Sequence, residues 1–243
     1  MTQSSTKFFS CIDSRINQEG ELYARFHIGS FGRGQAVTVA NSLRRTLLSE
    51  IPGLGIGNIQ IEGASHQFAR LPGIKETVLD LILNLKGIVF GFADPSINTF
   101  TLQNLSFKGM LKIRGPGNVT AKDLKLPSYL VAINPNHHIA TLSTKSELVI
   151  NFEVLFCNPL KKFHAQPPLI PNTNNNFFLY VAPTPVKKVN YIIQELDANA
   201  ETEYIILEVW TDGSVKPIQV VKYGIKRLCL LVLDFAKIVL VTS

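Results

Sequence analysis

Charge is scarce in this chain: 17% of its 243 residues are Asp, Glu, Lys or Arg, against 46% hydrophobic. A surface wholly in water usually carries more charge, so part of it is expected to lie under a partner. Cysteine is scarcer. Cys11, Cys157 and Cys229 are widely spaced and odd in number, which excludes a disulfide framework and a Cys-x-x-Cys redox or metal motif and points to a reducing compartment. The N-terminus, MTQSSTKFFSCIDSR, lacks the apolar core of a signal peptide, so no cleavable targeting segment is expected. The apolar run LCLLVL is bracketed by Arg227 and Asp234. It falls far short of the roughly 18 residues a membrane span takes, and no membrane association is expected. Chemical motifs are missing too. No histidines are paired as in a metalloprotease, and His137 and His138, adjacent on a strand, would face opposite ways. There is no nucleophile elbow and no carboxylate pair set up as acid and base. No catalytic residue, metal or cofactor is expected on this chain.

What is present is a mixed pattern long enough for one large domain or two small ones. In ELYARFHI, Glu21 to Ile28, apolar Leu22, Ala24, Phe26 and Ile28 alternate with Tyr23, Arg25 and His27, which predicts a half-buried strand. Ala40, Leu43, Leu47 and Ile51 recur at helical spacing before Pro52-Gly53. NIQIEG reads as a strand. Ile74, Val78, Leu81, Ile82 and Leu85 share the face of a second helix that Gly87 ends. From about Ile88 to Leu155 short strands and turns follow (NTFTLQ, GMLKIRGPG, SYLVAI, IATLS, SELVINFEV). The stretch Phe156 to Asn176, with its prolines and NTNNN, reads as a loop. PVKKVNYIIQEL and EYIILEVW read as strands, with TDGS as a turn. Val220 to Leu240 reads as a long helix, apolar almost all round. A surface helix of a monomer shows one apolar stripe, so this one is expected to pack on its own sheet and on a second copy.

Two stretches bear on function. GLGIG, Gly53 to Gly57, follows a helix and precedes a strand, the reverse of a dinucleotide-binding loop, and is expected to be a helix-ending turn. Just before it lies GRGQAVTVANSLRRTLLSEIPG with its adjacent Arg44 and Arg45. With Leu43 at zero on a wheel turning about 100° per residue, Arg44 falls at the edge of the apolar face and Arg45 at about 200°, opposite the core, near Thr38, Asn41, Leu48 and Ser49. Arg45 is either a solvated surface charge or an anchor for a partner.

GQAVTVANSLRRTLLSEIPG, HQFARLPGIKETVLDLILNLKGI, RGPGNVTAKDLKLP, INPNHHIATLS, APTPVKKVNYII and ILEVWTDGSVKP occur in that order. Together they resemble the α subunit of bacterial-type multisubunit RNA polymerase, over about Cys11 to Val239. The GQA opening, RGPGNVTAKDLKLP and EVWTDGS resemble the plastid-encoded branch most. The resemblance implies an α+β fold: a discontinuous dimerisation domain, 1–51 plus 177–243, with a β-rich domain, 52–176, inserted. It implies a homodimer through the first and last helices, with Val39, Leu43, Thr46, Leu228, Leu231 and Phe235 at the interface. It implies contact with the polymerase β subunit through Arg44, Arg45, Leu47, Leu48 and Ser49. Secondary β or β′ contacts would involve His66, Arg70, Glu76, Asn84, Lys86 and Val186. One copy would take β and the other β′, with DNA met only through the assembled enzyme, in the plastid stroma or, alternatively, a bacterial cytoplasm.

Two departures qualify this. The family usually continues into a small DNA-binding C-terminal domain, whereas this chain ends at Ser243, so that domain is expected to be absent. FCNPLKKFHAQPP replaces the family's arginine-glycine turn. Three other readings stand beside the resemblance: a homodimeric enzyme, a free-standing nucleic-acid-binding protein, and an archaeal or eukaryotic assembly subunit of related fold. The net charge of +6 permits nucleic-acid contact without demanding it, because the excess is scattered.

Overall fold

A computed structural model describes residues 7–17, 20–94, 105–143, 146–157, 175–179, 183–195 and 202–242, with the side chains of 239–242 outside the description. The chain folds as two compact units: one of Met1–Ile51 with Thr184–Ser243, the other of Pro52–Pro183.

In the first unit, β1 (Phe8–Ile16) and β2 (Leu22–Gly32) are followed by α1 (Gln35–Ser49); after the second unit come β11 (Val186–Glu195), β12 (Thr202–Thr211) and α3 (Pro217–Thr242). The four strands form an antiparallel sheet in the order β1-β2-β12-β11. One face is apolar: Ala24, Phe26 and Ile28 of β2 lie beside Ile205, Leu207 and Val209 of β12, all buried. The two helices cover that face because their own apolar residues have nowhere else to hide from water. Gly34 opens α1 at φ 79°, a left-handed conformation that costs glycine little. Its N–H is taken by Glu203 Oε1 at 3.0 Å, and the Gly32 N–H by Gln35 Oε1 at 3.0 Å. Gly224 lets α3 lie close on α1, since a Cβ there would sit 2.6 Å from Leu47 Cδ2. Arg227 Nε donates to Glu50 Oε2 at 3.1 Å, tying α3 to the end of α1.

The second unit holds β3 (Gly53–Ile61), α2 (Val78–Lys86), β4 (Phe90–Phe92), β5 (Ser106–Arg114), β6 (Gly117–Thr120), β7 (Leu130–Ala132), β8 (His138–Leu142), β9 (Glu147–Cys157) and β10 (Asn176–Phe178). A four-stranded sheet runs β10-β3-β9-β5, with the pairs β4-β7 and β6-β8 beside it. Its core takes in all five residues of the expected α2 face, Ile74, Val78, Leu81, Ile82 and Leu85. Thr77 and Asp80 form a reciprocal capping box at the start of α2.

Three expectations need correction. GLGIG is strand, not turn: Gly53–Ile56 pair with Val154–Cys157 of β9, and long-range pairing decides a stretch with little side-chain pattern of its own. Of the stretch expected as a loop, Phe156 and Cys157 belong to β9 and Asn176 to β10; residues 158–174, like NTFTLQ before them, lie outside the described residues. The second domain junction is at 183/184 and not 176/177, because β10 pairs with β3 of the inserted unit.

Candidate interaction faces

Helix α1 buries Ala36, Ala40, Leu43, Thr46 and Leu47 and turns the rest outward. Arg45, Leu48 and Ser49 are exposed, and no hydrogen bond or ion pair engages the Arg45 guanidinium among the described residues. Ser49 Oγ donates to the Arg45 carbonyl at 2.7 Å, so the serine is spent on its own helix. Arg44 is exposed too, but its Nε donates to the Val189 carbonyl at 3.1 Å, which pins it over β11. The helix thus offers a partner one free guanidinium beside one exposed leucine.

The burial pattern corrects several residues carried over with the resemblance. Leu47 is 0% exposed, so it supports the contact face from inside and cannot belong to it. Leu43 and Thr46 are buried against their own chain and cannot form the surface of a dimer interface. Val186 is buried at the start of β11. Val39 remains half-exposed, next to Val37. Leu231 and Phe235 of α3 are 53% and 65% exposed, with Leu230, Val232, Leu233 and Ile238 exposed around the same length of helix. Leu228 is half-buried, at the transition. Up to about Gly224 α3 belongs to its own core; beyond Cys229 it is an apolar rod without cover from the described residues of its chain.

The remaining expected contacts lie on the second unit. His66, Arg70 and Lys86 are exposed. Glu76 and Asn84 are internally committed. Glu76 accepts from Thr141 N–H at 2.7 Å, from Thr141 Oγ1 at 3.0 Å and from His138 Nε2 at 3.0 Å, clipping the segment before α2 onto β8. Burial pushes its carboxyl up, but these donors together hold it below the ordinary value. Asn84 Nδ2 donates to the Ile139 carbonyl at 2.9 Å. His137 meets the Asn84 carbonyl at 2.9 Å while His138 meets Glu76, so the adjacent histidines serve different partners.

Sequence reasoning passed over the outward face of the first sheet. Tyr23, Arg25 and His27 of β2 lie beside Tyr204, Ile206, Glu208 and Trp210 of β12. Arg25 Nη2 donates to Glu208 Oε1 at 2.8 Å, as does the Tyr23 hydroxyl, and the guanidinium holds the Glu208 carboxyl below its ordinary value. Tyr23 packs on Trp210, which Lys188 Nζ covers at 4.8 Å. His27 meets Tyr204 edge-on, and burial, with Arg25 second, lowers its pKa. The signal was present: in EYIILEVW the buried Ile205, Leu207 and Val209 alternate with Tyr204, Ile206, Glu208 and Trp210, three of which are polar or aromatic.

Among the described residues no three His, Cys, Asp or Glu side chains gather as a metal site would need, and no helix is long and apolar enough to cross a membrane. What the geometry offers is surface: a helix with an uncovered apolar half beside a helix with a free arginine. Surfaces of this kind suit a subunit that packs against other chains. Residues 31–230 match the RNA polymerase Rpb3/Rpb11 dimerisation domain. The chain is 40% identical to the DNA-directed RNA polymerase subunit alpha of Chlorella vulgaris, over 98% of each chain. It is 36% identical to that of Cyanidium caldarium, over 93% of this chain and 72% of the other. Against that of Oltmannsiellopsis viridis it is 43% identical over 69% of its length, spanning 33% of that relative. The chain belongs to the α-subunit family of DNA-directed RNA polymerase, and its dimerisation domain carries the family's role in assembling that enzyme.

Proposed function

We propose that two copies of this chain join through the second half of α3 and the Val37–Val39 edge of α1, and that the dimer is the platform on which the β and then the β′ subunit assemble. The observation that carries this reading is the run of exposed apolar side chains from Leu230 to Ile238. Soluble proteins rarely leave such a patch open to water, and a two-fold interface covers it twice over. The outward face of α1, with Arg45 and Leu48 foremost and Arg44 and Ser49 beside them, is the β contact. Arginine beside an exposed leucine suits the centre of an interface. His66, Arg70 and Lys86 form a secondary contact with β in one copy and β′ in the other. Nucleotide transfer, with its metal and template, belongs to the large subunits, and this chain needs no cofactor of its own. The relatives come from algae, and on that ground the plastid stroma is the proposed compartment.

The test is co-purification of β with the tagged chain and with Arg45→Ala. The expected result is that wild type retains β while the variant stays dimeric and loses it. Equal retention would remove Arg45 as an anchor, and failure of wild type to retain β would overturn the platform reading.

A further inference from the structure

The inserted unit carries a second candidate surface, on the open face of its four-stranded sheet. Register stacks its outward residues in two rows: Asn58 of β3 opposite Glu153 of β9, itself opposite Lys108 of β5, and Gln60 opposite Asn151, itself opposite Met110. The segment after the β6 turn closes one side. Lys125 donates to and accepts from Met110 through the backbone at 2.8 and 3.0 Å. These residues line an open cleft of about 550 Å³.

A device in the backbone aims Asn58 into it. Ile56 pairs with Val154 and Asn58 with Glu153, so Gly57 is the extra residue of a β-bulge. A bulge shifts the side-chain alternation by one. Here it keeps Ile56, Ile59 and Ile61 in the core while sending Asn58 and Gln60 to the open face. This gives the glycine-rich GLGIG stretch a structural consequence.

The cleft's polar side chains are left over. Elsewhere in this unit such groups are paired: Thr77 with Asp80, Thr120 with Asp123, Glu76 with Thr141 and His138. Here Gln60, Asn151, Glu153, Lys108 and Lys125 make no side-chain hydrogen bond or ion pair among the described residues. Asn58 Oδ1 is shielded from solvent with no hydrogen-bond partner, an arrangement native proteins usually avoid. Lys112 and Arg114 continue the basic row of β5 and share the single Glu147 at 3.7 and 3.4 Å. Glu62, exposed and bonded through its backbone to Val149 beside Lys112, adds a third carboxylate to Glu147 and Glu153, so the strip has four cations against three carboxylates.

We infer that this cleft binds an extended acidic peptide segment of another protein. The excess positive charge asks for carboxylates. The free Glu153 carboxylate asks for N–H donors, and so does the unpartnered Asn58 side-chain amide oxygen, which a donor in the cleft reaches when that half-buried side chain turns outward. A phosphodiester backbone brings only acceptors, whereas a peptide brings both carboxylates and N–H groups. Rims of lysine and a floor of amides fit an extended strand with acidic side chains at alternate positions. This inference does not depend on the β contact proposed above.

The full chain is titrated, by fluorescence anisotropy at low salt, with a labelled capped peptide of alternating Glu and Gly. The comparisons are the same peptide with Gln for Glu and an oligothymidine of equal charge. The expected result is that wild type prefers the acidic peptide and that the double variant Lys108→Glu/Lys125→Glu weakens it about tenfold or more, the loss typical of removing favourable charge contacts. Asn58→Ala weakens the peptide several-fold while leaving any oligothymidine binding unmoved. Lys108 and Lys125 are exposed and Asn58 is half-buried, and unchanged sedimentation and circular dichroism confirm that the variants are folded. No binding of the acidic peptide by wild type, equal binding by the reversed variant, or equal affinity for oligothymidine would each overturn the proposal.

Discussion

Phe235 gives the sharpest test of the dimer. Its residue surface is 65% exposed on α3. A phenylalanine offers about 150–250 Å², so roughly 130 Å² per copy stays in water unless a partner covers it. At about 25 cal/mol per Å², covering half of that area in both copies contributes about 3 kcal/mol. Phe235→Asp removes this contribution and leaves two carboxylates in an apolar contact, where unpaired charge is strongly disfavoured. The expected outcome is at least a hundredfold weaker dimer, since about 1.4 kcal/mol is tenfold in Kd. Sedimentation velocity over a micromolar dilution series reads this directly: wild type stays a dimer where the variant becomes a monomer with unchanged helix content. Ile192→Asp is the control. Ile192 is 55% exposed, but it sits on the outward face of the first sheet and not on a helix, and the dimer should ignore it. If Phe235→Asp sediments as wild type throughout, the apolar half of α3 covers something other than a second copy and the reasoning fails.

Two further predictions rest on neighbouring contrasts. Leu47→Ala should cost about 2–5 kcal/mol of stability in urea titration because a fully buried leucine leaves a cavity. Leu48→Ala should stay within about 0.5 kcal/mol yet weaken β retention; equal stability losses would mean the α1 face has been assigned wrongly. Glu76→Ala should cost about 1–3 kcal/mol by stranding the Thr141 donors. Because the folded state holds the Glu76 carboxyl below its ordinary value of 4.5, its contribution is complete above that pH and is lost as the pH falls through the folded pKa. Wild type and variant should therefore converge on acidification below about pH 4.5, and a gap that persists at acid pH would show that Glu76 acts through packing and not charge.

Periodicity made the α2 face legible residue by residue, because side chains three and four apart must share a core. It also placed Arg45 outward. The same wheel already set Leu43 and Leu47 inside; their assignment to partner surfaces came with the family resemblance, and their burial in the folded chain withdraws it. Glu76 and Asn84 could not be judged in advance, since Thr141 and Ile139, which occupy them, lie more than fifty residues away in sequence.

By itself, then, the sequence determined which residues alternate, which helix faces are apolar, and that α3 carries more apolar surface than one chain needs. Those are local consequences of backbone period and side-chain chemistry. Tertiary structure alone decided that GLGIG is a bulged strand, that β10 belongs to the inserted unit, that Arg44 is tethered while Arg45 is free, and that six polar residues share one cleft. Each of these depends on strand pairing between distant segments, where register and not local preference sets what a side chain meets.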